Sequence, residues 1–165
     1  MDAQQAGIIG KFLVADFERE IPTTLGVIEA AQGGNLDYRP DPKAKSGLGL
    51  VRHLALEDEW MLNCIADGQF VPPPDDSDDC GIMNAEEAAA RYRERVPPAL
   101  ERVRALSNDQ LAASIDLMGM MQLPAAAVLA MAAKHAVHHR GQLSSYLRAM
   151  GGKVPSIYGP SADTQ

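Results

Sequence analysis

Three of the four histidines of this chain fall in one short stretch, KHAVHHRGQL, from Lys134 to Leu143. Neutral imidazole is the commonest side-chain ligand for zinc, copper, iron and nickel, so their spacing is the first question the sequence raises. Each residue of a helix advances about 100°, which places residues four apart on one face, a single turn from each other. His135 and His139 therefore point the same way. Val128, Met131, Ala132, Gln142, Leu143, Tyr146 and Met150 share their side, whereas Lys134, Arg140, Ser144 and Arg148 fall elsewhere. The pair is aimed at a protein interior. His138 lies about 60° away, at the edge of the stripe, and is assigned to the surface or to an interface.

His53 behaves alike, sharing a helical face with Leu50, Leu56, Glu57, Trp60 and Cys64. Three inward imidazoles without partners would cost several kcal/mol, and a divalent cation would offset that cost. Such a set leaves one coordination position open, as catalytic sites require. The alternative is that each histidine hydrogen-bonds a carbonyl or carboxylate in the core. Glu57, one turn beyond His53, is either an acid or base, a group that orients or completes the ligand set, or a rim carboxylate paired with an arginine. Cys64 stands roughly 16 Å along the helix from His53 and reads as a small core residue. Ser-His-Asp, glycine-rich phosphate-loop and HExxH patterns are absent, so the chemistry rests on the metal.

The elements that must position these residues are helical. Apolar residues recur three or four apart from about Gln4 to Gln32 (Ile8, Ile9, Phe12, Leu13, Phe17, Ile21, Leu25 and Ile28), with Pro22 expected to bend the helix. A second helix is expected from Ser46 to Asp67. GQFVPPPDDSDDCG reads as a loop, its aspartates lacking the spacing of an EF-hand. Asn84 with Glu87 opens a third helix reaching Leu106, kinked or restarted at Pro97-Pro98. Ser107 with Gln110 repeats the capping pattern over a short turn. The irregular segment SIDLMGMMQ then leads to Pro124, expected as the first residue of a fourth helix that stops at Gly151-Gly152. The fold class expected is all-α, a four-helix bundle, with residues 1–161 as a single domain and 162–165 as a flexible tail.

Composition narrows the partners. The 165-residue chain carries a formal net charge of -7 and no basic stripe, which argues against nucleic acid and against an anionic membrane surface. No stretch reaches the roughly 18 apolar residues of a membrane span, and no signal-peptide pattern is seen. Two cysteines without CxxC spacing indicate a reducing, cytoplasmic setting.

HAVHHRGQLSSYLRAMGGKVPSIYGPS, together with YRPDPKAKSGLGLVRHLALEDEW, resembles the DinB/YfiT-like superfamily of bacterial bundle proteins, over about residues 5–161. The resemblance implies a three-histidine site, one ligand from the second helix and two from the HxxxH of the fourth. Carried over by position, these are His53, His135 and His139. It further implies nickel or zinc, a homodimer, and activities of the thiol S-transferase or hydrolase type using a low-molecular-weight thiol as small-molecule substrate. Other such proteins are known only as damage-inducible, which leaves a non-catalytic metal-binding stress-response bundle as the second expectation.

Overall fold

A computed structural model describes residues 1–164, the side chain of Asp78 excepted. Five helices, α1 (Ala3–Ala30), α2 (Gly47–Asp67), α3 (Ala85–Arg104), α4 (Asn108–Ala112) and α5 (Ala125–Leu147), account for most of it. The four long helices form the bundle. α1 and α2 do not lie side by side; each packs against both α3 and α5, so α1 and α2 occupy opposite corners. The arrangement puts α2 next to α5, which is what the site needs.

Local chemistry sets the helix ends. Ser46 caps α2 by accepting from the Gly49 amide, 3.0 Å. Gly68, in the left-handed conformation at φ 67°, closes that helix. Asn84 caps α3 through the Glu87 amide at 2.8 Å, but the Glu87 carboxylate reaches back to the Met83 amide and not to that of Asn84. Ser107 and Gln110 make the full reciprocal capping box that opens α4.

The prolines interrupt neither helix that contains them. α1 runs through Pro22, and α3 runs through Pro97 and Pro98 without restarting. Pro22 and Pro98 are exposed, and in α3 the carbonyls deprived of donors belong to Arg93 and Glu94, both exposed residues on the solvent side of the helix.

Two other expectations are corrected. SIDLMGMMQ forms a hairpin: β1 (Ser114–Asp116) pairs antiparallel with β2 (Gln122–Pro124), Ile115 opposite Leu123. Its turn places Met118 and Gly119 at positive φ, with Asp116 accepting from the Gly119 amide at 3.0 Å. Strands of three residues are too short to show an alternating pattern. Pro124 precedes α5 as its cap, with extended backbone (φ -56°, ψ 144°), because it also ends β2.

The apolar stripe of α1 is likewise redistributed. Ile8 and Phe12 are exposed, while Ala6, Gly10, Val14 and Phe17 face inward. Small residues are needed there because α4 packs closely: a Cβ on Gly10 would come within 2.7 Å of Leu111 Cδ1. The main core is one contiguous cluster fed by all four long helices, with Phe17, Leu54, Leu62, Tyr92, Leu129 and Leu143 each almost fully buried. Among the described residues, no helix is long and apolar enough to cross a membrane.

Polar groups also enter that core. Arg140, placed away from the inward stripe by periodicity, is only 1% exposed. Its guanidinium donates to Thr24 Oγ1 at 3.2 Å, pairs with Glu20, and bonds the Tyr158 hydroxyl from the C-terminal segment. Tyr158 in turn donates to Glu20 Oε2 at 3.0 Å. The C-terminal residues carry contacts of their own: Asp163 pairs with Arg148 and accepts from the Val154 amide, and Gln165 lies outside the described residues.

Candidate metal centre

α2 brings His53 across the bundle to His135 and His139 of α5. Ring centroids lie 5.2 Å (53–135), 4.3 Å (53–139) and 4.5 Å (135–139) apart. One ring nitrogen from each falls within 4.8 Å of the others, a grouping that can hold a metal ion. All three rings are half-buried. His138 is exposed and does not join them, though its ring packs edge-on against His139 at 4.7 Å.

The fit to a cation is tested by the nitrogens that have no other use. Among the described residues, His53 Nε2 and His135 Nδ1 are buried and lack any hydrogen-bond partner. Unpaired buried nitrogens are costly in a native core, and a metal is a partner of the right kind. Their charge state fits as well. Burial, then the neighbouring His139, pushes His53 down to about 4, and the same causes with His53 added take His135 to about 4. His139 is also lowered, by burial first. The imidazoles are therefore neutral at pH 7, with lone pairs available, as ligation requires.

Two outer contacts set ring orientation. His53 Nδ1 lies 3.1 Å from Asp76 Oδ2, and Asp76 Oδ2 is held at 2.5 Å by Lys45 Nζ. Burial works to raise the Asp76 carboxyl, but the bonds from Lys45 and His53 outweigh it and hold the group low. His139 Nδ1 lies 3.1 Å from Gln142 Oε1. Asp76 belongs to the aspartate loop, and the sequence offered no sign of its role, since loops carry no periodicity from which facing can be read.

Glu57 is buried, with Oε1 3.8 Å from His53 Nδ1, on the ring edge that Asp76 also occupies. Burial first, and then the Asp76 charge, raise it to about 7. Among the described residues it pairs with His53 and with no arginine; Arg52 donates to the Ile82 carbonyl at 2.6 Å. Cys64 is buried and Cys80 half-buried; both are free thiols, and burial pushes Cys64 up. A cavity of about 350 Å³ opens further along α2, lined by Leu56, Trp60, Cys64, Val71, Pro74 and Arg91 among others. It begins three residues beyond His53, and none of the three histidines lines it.

The DinB family matches residues 10–165. The chain belongs to the DinB family. It is 26% identical over 141 residues to the uncharacterized protein YjoA of Bacillus subtilis strain 168, covering 84% of this chain and 89% of that one. The crystal structure of the DinB-like YjoA superposes with a TM-score of 0.67 at 22% identity, covering 93% of this chain and 98% of YjoA. A DinB-like protein from Bacillus cereus gives 0.74 at 19% identity, covering 88% and 95%. Both likenesses establish the DinB bundle.

Proposed function

We propose that His53, His135 and His139 bind one divalent transition metal ion, nickel or zinc, and that the protein is a metal-dependent enzyme of the thiol S-transferase or hydrolase type. The observation that carries this reading is the meeting of three neutral imidazoles, two of them with a buried nitrogen that no other group among the described residues uses. When bound, the ion would supply Lewis acidity, favouring the deprotonated form of a water or thiol at its remaining position.

The chain's own residues supply the rest. His53 offers Nε2, because Nδ1 is taken by Asp76, and His139 offers Nε2, because Nδ1 is taken by Gln142. Glu57, beside His53, is the supporting acid or base. The cavity along α2, which none of the three histidines lines, would hold the part of a small-molecule substrate remote from the ion, with Leu56 and Trp60 as its apolar wall and the Arg91–Glu59 pair at its margin. A low-molecular-weight thiol and a second, electrophilic molecule fit the resemblance to thiol-dependent relatives. A second copy of the chain is the expected partner, for which exposed Ile8 and Phe12 on α1 and Val137 on α5 are contact candidates.

The deciding experiment has two stages. Elemental analysis of the purified protein should find nickel or zinc, and a variant carrying both His135→Ala and His139→Ala should lose it. Consumption of a chromogenic aryl halide with a small thiol, or hydrolysis of an activated ester, should then depend on those histidines. A protein that is metal-loaded but inert in both assays would instead be a non-catalytic stress-response bundle.

A further inference from the structure

We infer that Asp76 is a positioning residue that fixes the tautomer of His53, so that Nε2 is the nitrogen with the free lone pair. The inference rests on the metal reading above and goes beyond it, assigning a role to a loop residue 23 positions downstream of the ligand.

A carboxylate only accepts hydrogen bonds, so at 3.1 Å from Asp76 Oδ2 the Nδ1 of His53 must carry the proton. Left to itself in water, a neutral histidine side chain prefers the proton on Nε2. That preference would put a hydrogen on the buried nitrogen that has no partner among the described residues. The Asp76 contact reverses it before any metal arrives. The two ligand helices differ here. On α5 the orienting group for His139 is Gln142, three residues on, and the helix itself delivers it. On α2 the orienting group comes from the α2–α3 connection and is itself clasped by Lys45, the residue just before the Ser46 cap. Lys45 and Asp76 thus draw two separate connections together over His53. Asp75, its neighbour in sequence, turns away and, among the described residues, bonds only the Ser77 amide and hydroxyl, at 2.9 and 2.8 Å. One aspartate of the pair is committed to the site and the other to the loop.

Outer groups of this kind, when removed from metal-ligating histidines, typically cost about 10- to 100-fold in metal affinity. The test compares wild type, Asp76→Ala, Asp75→Ala and His53→Ala. Imidazole nitrogen resonances of the metal-free protein report which nitrogen of His53 bears the proton. Zinc alone is titrated against a chromophoric chelator, and thermal midpoints are recorded without metal. In wild type the His53 signals should show a protonated Nδ1 and an unprotonated Nε2. Asp76→Ala should transfer the proton to Nε2 and weaken zinc binding about 10- to 100-fold, while Asp75→Ala should match wild type in both respects. The tautomer readout separates positioning from general loosening, which would lower the midpoint and leave the proton on Nδ1. Wild-type zinc binding, with Asp76→Ala unchanged in tautomer and affinity, overturns the inference alone. Zinc binding that is absent from wild type, or equal in wild type and His53→Ala, overturns the metal reading beneath it and this role with it.

Discussion

His53 of α2 and His139 of α5 stand nearly edge to face, their ring centroids 4.3 Å apart. Helices remote in sequence achieve this because α2 lies against α5 along one side of the bundle. The contact brings two groups of the same kind together in a half-buried place. Neutral rings tolerate that, and a shared cation would turn it to use.

His53→Ala should abolish stoichiometric zinc or nickel binding, lowering affinity by at least about 100-fold, since a two-ligand remnant loses one of three first contacts. The metal-free protein should remain folded, because the ring removed has one buried nitrogen without a partner among the described residues and gives up only the Asp76 contact of the other. Isothermal titration and far-ultraviolet circular dichroism read the two effects. A variant that keeps full affinity would remove His53 from the ligand set.

Glu57→Gln separates binding from catalysis. It keeps the shape and removes the ionisable group beside His53. Metal content should be unchanged, and any thiol-dependent or hydrolytic turnover should fall about 100-fold, the usual scale for loss of a general acid or base. Unchanged turnover would leave Glu57 as a packing residue.

Stability should fall as pH rises because of Asp58. This carboxyl is almost wholly buried, accepts from the Tyr92 hydroxyl at 2.9 Å, and leaves Oδ1 unpartnered among the described residues. Burial chiefly raises it to about 7. The folded state therefore binds the proton more tightly than the unfolded chain. The stabilisation is complete below the ordinary carboxyl range and is lost as pH climbs through about 7. Asp58→Asn stays neutral and keeps an acceptor for Tyr92. Urea unfolding from about pH 4 to about pH 8 should show wild type losing up to about 4 kcal/mol relative to this variant. Parallel curves would count against a protonated Asp58.

Arg140 and Tyr158 should contribute unequally. Arg140→Met strands Glu20 and Thr24 in a part-buried setting and should cost about 3 kcal/mol. Tyr158→Phe keeps the ring beside the guanidinium and loses only the hydroxyl bonds, costing about 1 kcal/mol. Denaturant midpoints with constant slopes would check both values. Equal costs would show that the C-terminal segment, and not the buried charge, is what Arg140 secures.

Much of the site was legible because helices convert spacing into direction. His135 and His139 are one turn apart on any straight helix, and His53 shares the buried stripe of its own. The same rule misplaced Arg140. A long side chain at the edge of a stripe can be buried by neighbours the helix does not contain, here Glu20, Thr24 and Tyr158. On α1 it overstated Ile8 and Phe12, since a short fourth helix packs on the glycine face instead.

The sequence by itself determined which residues could bind a metal, that the long elements are helices, and that Asn84 and Ser107 open theirs. Those properties depend on neighbours within a few positions, where backbone hydrogen bonding leaves little choice. Only the tertiary structure decided that α2 lies beside α5, that Asp76 reaches His53 while Asp75 does not, and that Asp58 and Arg140 enter the core. Each of these depends on groups that distance along the chain leaves independent, and which only the close packing of the bundle brings within bonding range.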